Sequence, residues 1–101
     1  MTTVSHRNDG VRLARSIVER KLAACVQLLP PMVSVYSWEG KIHESEECLL
    51  LIKTTRSKWE ALADIISDEH SYDVPEVIAL TADQISADYY DWMLSSTDQN
   101  P

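Results

Sequence analysis

An α+β fold, with helices packed on an antiparallel sheet, is predicted by three features of the sequence. Apolar residues recur at helical spacing in two separate stretches, Val11 to Leu22 and Trp59 to Ile66. Between them, two extended apolar runs flank Glu39-Gly40-Lys41, the pattern of a long hairpin. The 101 residues are 45% hydrophobic, enough for one globular domain and too few for two. That domain is expected to span residues 1–96.

The elements follow in order. Asn8, Asp9 and Gly10 are start signals for a first helix. Val11, Ala14, Ile17, Val18 and Leu22 form its apolar stripe. Arg12, Arg15, Glu19 and Arg20 take the other face, and the helix should end near Lys21. Ala24 to Leu29 reads as a strand. Pro30-Pro31 interrupts it, which requires a bulge or an edge, because neither proline can donate to a ladder. Met32 to Trp38 resumes the strand, and the chain returns from Ile42 to Thr54.

Ser57-Lys58-Trp59-Glu60 has the form of a capping box, predicting a second helix with Ser57 as N-cap. His70-Ser71-Tyr72-Asp73 ends it, and Glu76 to Leu80 reads as a short strand after Pro75. Ser86 to Ser95 is a last helix, with Tyr89, Trp92 and Met93 at i, i+3 and i+4. Thr97 to Pro101 is expected to be a disordered tail. If Thr2-Thr3-Val4 ends a strand, the order becomes βαββαβ plus a C-terminal helix, which is the ferredoxin-like sandwich.

Helices on one face of such a sheet leave the other face bare. Yet Val26 to Leu29, Leu49 to Ile52 and Val77 to Leu80 are apolar on both faces. The economical resolution is that another subunit's sheet covers the second face.

The formal charge of −7 repels a phosphate backbone, and no basic stripe is read in the sequence to offset it, so nucleic acid is not an expected partner. Cys25 and Cys48 have no CxxC spacing, so neither a disulfide framework nor a zinc knuckle is expected. Reduced thiols fit a cytoplasmic compartment. No apolar run is long enough to span a bilayer, and Met1 to Val4 does not read as a signal peptide.

Five segments carry a family resemblance. They are Leu22-Ala23-Ala24-Cys25-Val26, Ser34 to Lys41 (SVYSWEGK), Leu51-Ile52-Lys53-Thr54, His70 to Glu76 (HSYDVPE) and Asp88-Tyr89-Tyr90-Asp91-Trp92. Together they resemble the CutA family of divalent-cation tolerance proteins over nearly the whole chain. The resemblance implies a ferredoxin-like subunit in a homotrimer similar to the PII signalling proteins, with clefts between neighbouring subunits. It also implies tolerance to copper and other divalent ions, with copper binding often proposed. Three departures stand out. The family's longer first strand is here a stub from Met1, so either residues upstream are missing or the sheet is completed another way. The family's His-Pro-Tyr is His70-Ser71-Tyr72, which frees one φ. Its Gly-Asn before the last helix is Ile85-Ser86, where Ser86 can still cap.

The metal candidates are Cys25, whose thiolate suits Cu(I), and His70, whose imidazole suits Cu(II) or Zn(II). The alternative for Cys25 is a small buried hydrophobe, and for His70 a helix-end cation. Cys48 reads as core, while His6 and His43 read as solvated. Tyr36, Trp38, Glu39, Lys53, Tyr72, Glu76, Tyr89 and Trp92 are the residues the resemblance points to for the intersubunit cleft. Aromatic walls, one lysine and two carboxylates suit a polar small molecule, although Tyr and Trp are enriched at interfaces in any case. Lys53 follows four apolar residues and is expected to be partly shielded and paired with an acid. Glu39, Glu44, Glu46 and Glu47 read as a solvated hairpin, since they lack the spacing of a calcium loop. No phosphate loop, Ser-His-Asp set or paired-carboxylate site offers a basis for an enzyme.

Three functions follow from this reading. The first is a trimeric metal-binding tolerance protein. The second is a PII-like sensor holding an anion or metabolite near Lys53 and Glu76, and the third a trimeric scaffold for protein partners.

Overall fold

A computed structural model describes residues 1–98. Strand β1 is Thr2–Val4 and helix α1 is Arg7–Glu19. Strands β2 (Cys25–Leu28), β3 (Met32–Trp38) and β4 (Lys41–Lys53) follow. Then come a 3-10 turn at Arg56–Lys58, α2 (Trp59–Glu69) and α3 (Ala87–Ser96). The mixed α+β architecture predicted from the sequence is the one observed.

Strand β4 is the spine of the sheet. It pairs antiparallel with β1 on one side and with β2 and then β3 on the other. Leu28 lies opposite Leu50, and Met32 lies opposite Glu47. Residues 29–31 therefore face only residues 48–49, which is a one-residue bulge. Pro30-Pro31 occupies it, as neither proline can donate to the ladder. Leu29 still donates its N–H to the Leu49 carbonyl at 2.9 Å. The hairpin closes through two residues of positive φ, Glu39 (52°) and Gly40 (76°), as a type I′ turn needs.

Alternation along β4 separates two faces. Cys48 and Leu50 point toward the helices and are buried with Val4, Leu13, Ile17, Leu22, Ala23, Leu62 and Ile66 in one cluster. Glu47, Leu49, Leu51 and Lys53 take the opposite face, where Leu51 is 37% exposed.

Four elements depart in detail from the sequence reading. Helix α1 begins three residues before Gly10, which is buried inside it against the sheet. The helix stops through Lys21 (φ 60°), with Leu22 N–H bonded to Ile17 O and Lys21 N–H to Val18 O, both at 3.0 Å. This is a Schellman turn with lysine where glycine is usual. Ser57 is not an N-cap: it lies within the 3-10 turn, and its hydroxyl is taken up by that of Thr55 at 3.1 Å. Residues 76–80 form no ladder among the described residues. Ile78 exchanges two backbone hydrogen bonds with Met1, just before β1 (2.6 and 3.1 Å), and one residue pair does not make a strand. Finally, Thr97 is buried and bonds its hydroxyl to the Met93 carbonyl at 2.9 Å, closing α3. Of the tail expected from the sequence, residues 99–101 lie outside the described residues.

Candidate functional site

The turn after α2 builds a polar knot on the sheet. His70 leaves the helix with extended backbone, its N–H still bonded to Ile66 O at 2.9 Å. Its Nδ1 accepts the Tyr72 N–H at 3.0 Å, so Nε2 carries the proton and donates to the Thr3 carbonyl at 2.6 Å. The imidazole thereby ties β1 to the turn, holding locally what a proline at Ser71 would otherwise restrain. Tyr72 packs on His70 with ring centroids 4.6 Å apart, and its hydroxyl donates to Glu47 Oε2 at 2.8 Å.

Glu47 is where the sequence reading fails. It belongs to the acid-rich hairpin, but unlike exposed Glu39, Glu44 and Glu46 it is half-buried. Burial alone would raise its pKa. Hydrogen bonds from Ser34, Tyr72 and Thr3 outweigh that and hold the carboxyl below its ordinary 4.5. The phenol of Tyr72 is pushed up to about 12, first by burial and then by its bond to the neighbouring carboxylate.

A raised acid pKa in the folded state contributes stability that is present below pH 10 and is lost on rising through 12. Two pH units would be worth about 2.7 kcal/mol. The ring is partly open to solvent, so about 1 kcal/mol is the expected loss. Urea unfolding below pH 10 and again at pH 12 should show a steeper alkaline decline in the wild type than in Tyr72→Phe. Equal declines would mean that the phenol is not held by Glu47.

A second group forms at the far end of β4. Lys53 lies directly opposite Cys25, so the two side chains share the face away from α1 and α2. Both residues are half-buried. The expected acid partner of Lys53 is replaced by an aromatic one, with Nζ 5.7 Å from the Tyr89 ring centroid. Tyr89 in turn meets Trp92 at 5.4 Å. Cys48, by contrast, is a core residue at 3% exposure.

The third group is the hairpin tip. Tyr36 stacks on His43 at 5.6 Å and accepts the Ser45 hydroxyl at 3.4 Å, so His43 is not simply solvated. Trp38 is 46% exposed, and Glu39 forms the turn. Glu76 lies near the Met1 ammonium, whose charge it favours, and its buried Oε2 has no hydrogen-bond partner among the described residues.

Within one chain these groups do not converge. Ten residues of strand separate His43 from Lys53, roughly 33 Å. Cys25 and the Thr3 carbonyl that holds His70 sit on opposite sides of β4. Their partners there, Lys53 and Leu49, are four residues or roughly 13 Å apart. Among the described residues, no three His, Cys, Asp or Glu side chains are grouped to hold a metal ion. No described helix is long and apolar enough to cross a membrane.

The sequence and fold were compared with known proteins. Residues 1–96 match the family model described as CutA1 divalent ion tolerance protein. A chloroplastic CutA protein of Arabidopsis thaliana is 50% identical over 95 residues, covering 94% of this chain and 52% of that protein. The chain spans about half the length of the plant and human relatives it matches. The CutA1 crystal structure from Oryza sativa superposes with a TM-score of 0.93 at 45% identity, covering 98% of this chain and 91% of that one. The divalent cation tolerance protein of Thermus thermophilus gives 0.93 at 36% identity, covering 96% and 94%. With a family match over almost its full length and the same fold at these identities, the chain belongs to the CutA1 divalent ion tolerance family.

Proposed function

We propose that the protein is a homotrimeric, non-enzymatic divalent-cation tolerance protein that binds metal, with the Cys25 thiol as the contact for a soft ion such as Cu(I). The observation that carries the reading is the surface of the single chain. It exposes 7161 Å² for 11.5 kDa, where a compact monomer of that mass exposes roughly 5800 Å². Large apolar side chains contribute to that surface. Val33, Val35 and Ile42 are 63–74% exposed on one face of the hairpin, and Leu80 is 79% exposed. Residues 76–80 belong to no helix or ladder among the described residues, which leaves their backbone available for pairing with a neighbouring hairpin edge. Packing of sheets around a common axis covers Leu51 and brings the separated cleft groups of adjacent subunits toward one another.

The donor chemistry fits a soft ion in part. A half-exposed thiol is available at Cys25, whereas each subunit alone lacks a three-ligand set among the described residues. A complete site therefore draws donors from more than one subunit. His70, the second ligand, contributes only by releasing Thr3 or Tyr72, since both of its ring nitrogens are engaged.

A second reading, a PII-like cleft for an anion or metabolite near Lys53 and Glu76, is favoured by the Lys53–Tyr89–Trp92 cluster. A ligand there raises the melting temperature in metal-free buffer.

Native mass spectrometry of the metal-free protein, with and without Cu(I) under reducing conditions, tests the proposal. The expected species is a trimer that takes up a fixed number of copper ions. Cys25→Ala should weaken uptake by roughly 100-fold or more, since even an outer-sphere partner is worth about 10- to 100-fold. A monomer would overturn the assembly, and unchanged copper affinity in Cys25→Ala would remove the thiol from the site.

A further inference from the structure

We propose that the outer face of α1 is a docking surface for a short acidic segment of a partner protein. The chain's charge is sharply divided. Residues 7–21 hold five of the nine Lys and Arg and only two of the sixteen acids, a local +3. The remainder sets four cations against fourteen acids, or −10. The cations are thus gathered on one helix of an otherwise acidic molecule.

The geometry of that helix sorts them. Leu13 and Ile17 bury its inner face. Arg12 is bonded to Asp9 at 3.1 Å, Arg20 to Ser16 at 3.1 Å, and Lys21 Nζ donates to the Asp98 carbonyl at 3.3 Å. Arg7 and Arg15 are exposed and have neither a hydrogen bond nor an ion pair among the described residues. They lie two turns apart, about 12 Å along the axis. Val11 and Val18 continue the same strip at i+4 and i+11 from Arg7, and Val18 is 40% exposed. Two unengaged guanidiniums with aliphatic surface beside them match a peptide bearing two carboxylates about 12 Å apart and an apolar side chain between. A helical segment meets that spacing with acids eight residues apart, and an extended one with acids four residues apart.

Charge complementarity also limits the partner's size. A nucleic acid or an anionic bilayer extends past one helix and meets the −10 remainder, whereas a short peptide touches the helix alone. The surface belongs to the helix layer, opposite the sheet face assigned above to subunit contact, so the inference does not depend on the assembly.

The test is fluorescence anisotropy of a short fluorescein-labelled peptide of Glu and Leu, at low and at physiological salt. Arg7→Glu/Arg15→Glu should weaken binding roughly tenfold at low salt, and added salt should weaken the wild type. Lys41→Glu/Arg56→Glu makes the same change in net charge at exposed positions elsewhere, and should stay within about twofold of the wild type. Equal losses in both double variants would reduce the effect to net charge and overturn the proposal. So would the absence of saturable binding, or tighter binding of single-stranded DNA or anionic vesicles than of the peptide.

Discussion

Leu50→Ala is expected to destabilise the fold by about 3–4 kcal/mol. Leu50 is fully buried at the middle of the sheet, opposite Thr2 of β1 on one side and Leu28 of β2 on the other. Deleting its side chain removes the transfer energy of three carbons and leaves a cavity. The size of the loss depends on whether the neighbours can close that cavity. Above Leu50 runs α1 at Gly10, which has no side chain to swing in, and on either side lie paired strands whose register fixes their backbones. The low end of the range for a buried leucine therefore does not apply. In a domain of this size each kcal/mol shifts the melting temperature by roughly 4–8 °C. A drop of about 15–25 °C is the expected reading in thermal unfolding. Wild type and variant must be compared at equal protein concentration, because assembly adds to apparent stability. A loss below about 1 kcal/mol would mean that the site collapses freely and that α1 is not held against β4.

The framework was legible because its signals are local. Gly40 marks the hairpin within a few residues of the strands it joins, and Pro30-Pro31 marks the bulge at its own position. The apolar run Leu49 to Ile52 places apolar side chains on both faces, since alternation in β4 turns Leu50 inward and Leu51 outward. What stayed hidden depends on distant partners. Glu47 looks like its exposed neighbours in sequence, and only the fold brings Tyr72, 25 positions later, to its carboxylate. Parity was the available clue: Glu47 shares its face with Leu49 and Leu51, whereas Glu44 and Glu46 fall on the other. The Ser57–Glu60 pattern misled because a 3-10 turn puts Ser57 in helical conformation, where it cannot cap, and because Thr55 competes for its hydroxyl. Lys53 was rightly expected to be shielded, but an aromatic ring rather than an acid is what it faces. The Cys25 and His70 sites remain a matter for the metal experiment, since register separates them within one chain.

Gly10→Val is the second large effect, expected at about 3 kcal/mol, and its interpretation rests on comparison with Gly10→Ala. Glycine inside a helix is about 1 kcal/mol worse than alanine, so propensity alone predicts that Gly10→Ala stabilises. Packing predicts the opposite. A Cβ at this position stands 2.8 Å from Leu28 Cδ2, 2.9 Å from Val4 Cγ2 and 3.4 Å from Leu50 Cδ1. Both close contacts are side chains, but they rise from β2 and β1 on either side of β4, so moving away from one pushes the helix toward the other. Val4 is itself in the core at 4% exposure and has little room to turn. Relief requires α1 to lift by several tenths of an ångström, loosening Leu13 and Ile17 along the same face. Overpacking of this kind costs about 1–3 kcal/mol, which against the propensity gain leaves Gly10→Ala about 1 kcal/mol less stable. Valine adds two methyl groups to the same space and gives back most of that gain through its branched Cβ. Urea unfolding should therefore rank glycine above alanine above valine. Shortening a clashing partner supplies the decisive arm: Leu28→Ala should cost less in the Gly10→Val background than in the wild type, because the same alanine that opens a cavity in one makes room in the other. Additive losses, or a Gly10→Ala protein more stable than the wild type, would show that the helix does not approach the sheet through Gly10 as closely as the 2.8 Å contact requires.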